Sequence, residues 1–365
     1  MTTTRTAGTV TGTMPSTAPA VVPSAPRRAR RALRWVLAVV VLLAALLAGA
    51  LVGPAGLTPA SVLAELANAL PGVDIDSGLT TQQQAILWQI RLPRVILGSI
   101  VGATLAVSGA AYQGVFRNPL ADPYLLGVSA GAGLGATIAI TAGGGIGAFG
   151  VPAFAFAGGL LAVGATYALG ATVGGGRTST VIILAGVAVA AFFSAIQTFV
   201  QQRFDDSLLA VYTWILGRLS TNGWSDIVTI APYVVLSWVV LLLHRRVLDV
   251  LALGDVEAAS LGINVPRVRL VLVLTATLGT TAVVSVSGLI GFVGIVVPHA
   301  MRLIFGSSYR LLLPLSMLFG AAFLVLTDVA ARSLIAPAEL PIGVVTALLG
   351  APFFLVVLRR GRAIS

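Results

Sequence analysis

The sequence predicts an all-α polytopic membrane protein with about ten transmembrane helices. Three observations carry that prediction. Of 365 residues, 57% are hydrophobic and only 9% charged, and the mean hydropathy is +1.01. An ordinary soluble domain is about a quarter charged and has too little polar surface to hide so much apolar side chain. Apolar stretches of roughly 20 residues, enough to cross a hydrocarbon core about 30 Å thick, recur along the chain. The arginines gather on alternate connections between those stretches, as the positive-inside rule requires. A soluble enzyme, a disordered protein and a nucleic-acid binder are thereby excluded. The net charge of +10 follows a membrane in its placement.

Residues 1–33 are rich in Thr, Ala and Pro and end in a basic cluster, which reads as a disordered cytoplasmic tail. Residues 34–365 form one membrane domain. Its first span is 35–53; Ala48-Gly49-Ala50 fits a signal-peptidase site, but the 19 apolar residues are long for a cleaved signal. Further spans follow at 92–116, 124–142, 149–173, 180–201 and 226–243. Residues 268–287 and 288–305 are divided at Ser285-Val286-Ser287-Gly288, because 38 uninterrupted residues would overshoot a bilayer. Irregular backbone at depth is tolerated where it is buried or lines a cavity. Spans 311–331 and 342–358 complete the set. With both termini cytoplasmic, 17 arginines lie inside and five outside: Arg91, Arg94, Arg203, Arg218 and Arg332. The 41 glycines include the small-xxx-small pairs Gly98/Gly102, Gly127/Gly131, Gly131/Gly135 and Gly170/Gly174, which let helix backbones approach closely.

Missing residue types exclude chemistry. The chain has no Cys, hence no thiolate metal site and no Cys nucleophile. It has no Lys, hence neither a P-loop lysine nor a Schiff base. Gly127-Val128-Ser129-Ala130-Gly131 spells G-x-S-x-G, but it lies in an apolar helical stretch with no His nearby in sequence, so it reads as helix packing. Gly131-Ala132-Gly133-Leu134-Gly135-Ala136 follows no strand and is no dinucleotide fingerprint. His299, near Arg302, reads as a helix-end residue.

The informative stretches are long. They are Arg91-Leu92-Pro93-Arg94; Phe116-Arg117-Asn118-Pro119-Leu120-Ala121-Asp122-Pro123-Tyr124-Leu125-Leu126-Gly127; and Gly254-Asp255-Val256-Glu257-Ala258-Ala259-Ser260-Leu261-Gly262-Ile263. Gly288-Leu289-Ile290-Gly291-Phe292-Val293-Gly294 with Pro298-His299 and Arg302, and Glu339-Leu340-Pro341-Ile342-Gly343 with Gly350-Ala351-Pro352-Phe353-Phe354, complete them. In these segments the chain resembles the permease subunits of bacterial importers for iron chelates, haem and cobalamin, the FecCD or BtuC-like family, over residues 35–360.

The resemblance implies the BtuC-like fold of a type II ATP-binding-cassette (ABC) importer permease in the bacterial cytoplasmic membrane. It implies a second permease subunit, either another copy or a close paralogue, two cytoplasmic ATPase subunits, and an extracytoplasmic substrate-binding protein. It also implies no cofactor in this chain; ATP and Mg²⁺ sit on the ATPase subunits. Membrane lipid is a partner and nucleic acid is not.

The same resemblance assigns sites. Arg91, Arg94 and Arg332 would grip carboxylates of the binding protein, a task that suits the arginine fork; the plainer reading is interfacial snorkelling. Asn118 and Leu120, with Thr178 and Ser179, would form cytoplasmic gates; Ser, Thr and Asn also serve as helix caps. Residues 249–264 form an inside, amphipathic loop in which Asp255, Glu257, Leu261 and Gly262 would couple to the ATPase; its exposed apolar residues point the same way on physical grounds. Asp328, acidic within an apolar span, calls for a partner, and Arg332 at i+4 is the candidate. A proton relay or ion-coupled secondary transporter would need more ionisable residues along the spans. A membrane-embedded enzyme would need a clustered catalytic set. The function expected is alternating-access import of an iron chelate, a ferric siderophore first, with haem or cobalamin as the alternatives.

Overall fold

The computed structural model describes residues 27–53, 56–143, 150–172, 179–220, 223–336 and 338–361, which contain helices and no strand. In chain order, α1 is Arg27–Leu51, α2 Pro59–Ala67 and α3 Thr81–Ala85. A π-helical turn, Ile86–Arg91, joins α3 to α4 (Leu92–Phe116), and a 3₁₀ turn, Pro123–Leu126, precedes α5 (Val128–Thr141). Then come α6 (Gly150–Thr172), α7 (Ser179–Arg203), α8 (Leu208–Ile215), α9 (Ser225–Leu243), α10 (Arg245–Leu251) and α11 (Asp255–Ser260). The last four are α12 (Val265–Ser287), α13 (Val293–Phe305), α14 (Tyr309–Ser333) and α15 (Ile342–Gly361).

Seven stretches among the described residues are long and apolar enough to cross a membrane; they lie in α1, α3–α4, α6, α7, α9, α12 and α14. Three shorter apolar helices, α5, α13 and the Ile342–Val356 part of α15, fall where the sequence predicts spans 124–142, 288–305 and 342–358. The shortening has local causes. Asp122 Oδ1 accepts from Tyr124 N at 2.8 Å and caps the 3₁₀ turn, while Gly127 turns left-handed at φ 83°, so α5 starts only at Val128. Gly288 (φ 68°) and Phe292 (φ 67°) likewise hold 288–292 out of helical geometry. Buried Ile290 within that strip is satisfied: Tyr124 Oη donates to Ile290 O at 3.2 Å and accepts from Ile290 N at 3.3 Å. At the other extreme, α1 begins at Arg27, so 27–33, expected in the disordered tail, form its first turns. Residues 1–26 lie outside the described residues.

The centre of the bundle is α4. Apart from Arg94 near its start and Tyr112 and Gln113 near its end, its residues are apolar or small, and nearly all are buried. It packs against α14, α12, α13 and α9, while α5, α6 and α7 form a second group joined to the first through α12. Glycines set the closest approaches: a Cβ at Gly102 would run into the Gly320 carbonyl of α14, and one at Gly131 into Gly158 of α6. Gly131, the last residue of the G-x-S-x-G string, is thus a helix-packing contact. The least buried spans are α1 and α7; on α7, Leu184, Val187, Phe192 and Phe199 are exposed.

Candidate functional site

Two polar constellations lie at opposite ends of the bundle. The first forms where α1 ends and α4 begins. An α-helix leaves its last carbonyls unpaired and partly negative. Those of α1 are taken by arginines from two other helices: Arg332 Nη2 donates to Gly49 O at 2.7 Å, and Arg91 Nη1 to Ala50 O at 3.1 Å. Both arginines are 4% exposed. Arg94, one turn beyond Arg91 on α4, reaches across to α14. Its Nη2 and Nε donate to Asp328 Oδ1 at 2.8 and 3.0 Å. The same guanidinium takes Glu339 bidentately, Nη1 to Oε1 at 3.0 Å and Nη2 to Oε2 at 2.9 Å. The Arg94 side chain is 14% exposed and that of Glu339 43%. Asp328 also pairs with Arg332 at 3.3 Å, the i,i+4 partnership read from the sequence; its shorter bonds go to Arg94.

Of the three arginines assigned to docking, two are therefore buried caps of α1 in this conformation. Arg94 is the one that meets an exposed acidic partner. Nearby, Glu65 of α2 accepts from Ser77 Oγ at 2.8 Å and Trp88 Nε1 at 3.1 Å, and these bonds hold its carboxyl below the usual range.

The second constellation surrounds α11. Its first residue, Asp255, receives Arg269 of α12 at 3.1 Å and Arg117 at 3.3 Å. Arg117 sits in the left-handed region (φ 49°) just after α4. The next residue, Asn118, accepts from Leu120 N through Oδ1 at 2.9 Å and donates its own N–H to Gln113 O at 3.1 Å. Asn118 is thus an Asx-type turn residue, and Leu120 beside it is 39% exposed. Helix α11 closes at Gly262 (φ 81°), with Ile263 N donating to Ala258 O at 3.1 Å. Ala258 anchors the helix, fully buried, whereas Leu253, Val256 and Leu261 are 68, 79 and 64% exposed. Glu257 lies on the exposed side with its carboxylate over the Gly254 turn. A cavity of about 580 Å³ opens between α11–α12 and α6–α7, bounded by Asp255, Arg269, Tyr167 and Ile182.

Behind this loop, Arg302 donates to Gln113 Oε1 at 3.0 Å, and Gln113 Nε2 to Gly294 O at 3.1 Å, tying α13 to α4. His299 lies edge-on to Phe353 at 6.2 Å. Thr178 lies outside the described residues; Ser179 opens α7, and only its backbone is described.

Sequence reasoning missed Glu339, Arg117 and Arg269 as partners. The first two stand inside the informative stretches. What made Glu339 findable is that it is the one acid in the connection between the spans predicted at 311–331 and 342–358.

Comparison with known proteins agrees with this architecture. The FecCD transport family matches residues 37–360. The Halobacterium salinarum cobalamin import system permease protein BtuC is 41% identical over 77% of this chain and 75% of its own length. The Bacillus subtilis Fe(3+)-citrate import system permease protein YfmD is 36% identical over 77% of this chain and 84% of its own. A solved structure of a metal-chelate type ABC transporter in an inward-facing conformation superposes with a TM-score of 0.78 at 29% identity, covering 90% of this chain and 99% of that one.

Proposed function

The chain belongs to the FecCD transport family of ABC permeases, and from that premise we propose that it is the permease subunit of an importer that carries an iron chelate, a ferric siderophore first, across the bacterial cytoplasmic membrane. It is a multi-pass membrane protein. In the proposed assembly it works beside a second permease, two ATPase subunits and an extracytoplasmic binding protein, crosses the bilayer ten times, and keeps both termini in the cytoplasm. The arginine-rich α11 end then faces the cytoplasm and the Arg94 end faces outward.

One observation carries the mechanism: the apolar tip of α11. Val256 on this short helix and Leu253 and Leu261 flanking it stand exposed, uncovered by the rest of the described chain; such a patch marks a partner surface. The ATPase is the partner with a reason to bind there. Asp255 holds α11 to Arg117, and Arg117 adjoins Asn118 and Leu120 at the end of the central helix α4. ATP-driven movement of α11 would thereby pull on the backbone turn at the proposed inner gate, to which the family resemblance also assigns Thr178 and Ser179. Asp328 is held by two arginines rather than by a chain of titratable groups, which favours ATP coupling over ion coupling.

The test is uptake into vesicles that hold the whole transporter. Radioactive ferric siderophore should enter with ATP and stop with a non-hydrolysable analogue. Uptake of labelled cobalamin in its place, the cargo named for the 41% identical relative, would overturn the choice of substrate; uptake driven by an ion gradient without ATP would overturn the class.

A further inference from the structure

Arg94 is already occupied. Its fork holds Glu339 in the bidentate geometry that an acidic docking side chain would need. The two partners of Arg94 differ: Asp328 is 2% exposed and inside the bundle, whereas Glu339 sits on the exposed connection between α14 and α15. Beside this pair a crevice of about 230 Å³ is lined by Arg94, Arg218, Ser220, Glu339 and Leu340. Arg218 has an anchored base and an exposed head: its N–H donates to Ser287 O at 2.8 Å while its side chain reaches solvent. Elsewhere this end carries the exposed Asp74, Asp76 and Asp205 and the half-buried Glu65 against Arg203, while Asp206 borders Arg218 on the side of a neighbouring crevice. A carboxylate approaching this face is repelled over most of it and drawn to the crevice between Arg94 and Arg218.

We infer that this crevice is the carboxylate-accepting pocket of the face, and that Glu339 is an internal stand-in which an acidic side chain of the docking protein displaces from Arg94, with Arg218 forming the second wall of the pocket. This rests on the docking reading given above and adds to it a competitor and a further arginine. Exchange is feasible because Glu339 is half exposed, where an ion pair contributes little net stability. Asp328 stays in place, so Arg94 remains positioned throughout. Glu339 lies just before Leu340, whose N–H donates to Ala331 O, and Gly343, whose N–H donates to Leu216 O, both at 3.0 Å. Its release therefore loosens the entry to α15 when the partner arrives.

The experiment measures affinity of the binding protein for the assembled transporter in nanodiscs, at low and moderate salt. Glu339→Gln should tighten docking three- to tenfold, with a faster on-rate and a steeper salt dependence, because Arg94 gains a free fork and the face loses a negative charge. Glu339→Asp keeps the charge and shortens its reach, and should fall between wild type and Glu339→Gln. Arg218→Ala should weaken docking several-fold in either background. If Arg94→Glu abolishes docking while Glu339→Gln leaves it unchanged or weaker, Glu339 is only a brace and this inference fails, with the docking reading intact. If Arg94→Glu has no effect, both fall. An affinity for Glu339→Asp outside the interval set by the other two proteins also overturns the competition.

Discussion

Asp328 and Asp122 lie buried at opposite ends of the bundle, and they are buried in opposite ways. Asp328, at the α1–α4 end, is 2% exposed and meets two arginines, at 2.8 and 3.3 Å. Asp122, at the α11 end, is 9% exposed, accepts from the backbone N–H of Tyr124, and makes no salt bridge among the described residues. Burial pushes its carboxyl up to about 6. One end thus keeps a fixed ionic brace, while the other, rich in arginine, directs those arginines to partly exposed acids such as Asp249 and Asp255. A brace suits a surface that must keep its shape, as the proposed docking face would. Exposed pairs of small net energy suit a surface that must move.

The sharpest way to break this contrast is Asp328→Ala. It leaves buried Arg332 without its acid and Arg94 with only the half-exposed Glu339, and should cost about 3–5 kcal/mol, read as a large fall in the melting temperature in detergent. A change within experimental error would mean the brace is not one.

Next is pH at Asp122. Its folded value lies above the unfolded value of about 4, so the folded state favours the protonated acid. Stability from this group is fully present below pH 4, is lost as pH rises from 4 to 6, and stays level above. The loss across that window is of order 2–3 kcal/mol, since each tenfold change in proton affinity corresponds to about 1.4 kcal/mol. Asp122→Asn should remove that slope and keep the cap on Tyr124. A slope that survives the substitution sinks the assignment.

Third, Leu261→Asp should reduce co-purified ATPase at least tenfold, equivalent to about 1.4 kcal/mol, with no loss of permease stability, since Leu261 is 64% exposed. Unchanged assembly would remove α11 as the docking element. Smallest in energy is Asp255→Asn: both its bonds are on a carboxylate 43% exposed, so stability should move by less than about 1 kcal/mol. Transport per ATP hydrolysed should nonetheless fall, because α11 loses its tie to Arg117. An unchanged ratio would disconnect that helix from the gate.

Much of this protein is legible in its sequence. Hydropathy fixes which segments are helices, because the bilayer demands that every backbone polar group in a span be satisfied within it; α4, predicted at 92–116, is found at Leu92–Phe116. Position along a 3.6-residue helix fixes local partners such as Asp328 and Arg332. The motifs around Asn118, Asp255 and Glu339 fix the family. Helix ends were legible only where Pro, Gly or a capping side chain marks them, which is why α5 and α13 came out shorter than their apolar runs.

Tertiary structure alone decided the long-range pairings. Arg94 meets Asp328 across 234 positions and Glu339 across 245, and nothing in the local pattern of either segment encodes that meeting. It arises because Gly102 and Gly320 let α4 and α14 lie close together. The same packing sets Arg91 and Arg332 against the last carbonyls of α1, since a helix terminus brought beside a guanidinium presents carbonyls that must be paired once water is excluded. Residue type decided that these arginines needed a partner; the fold decided which one.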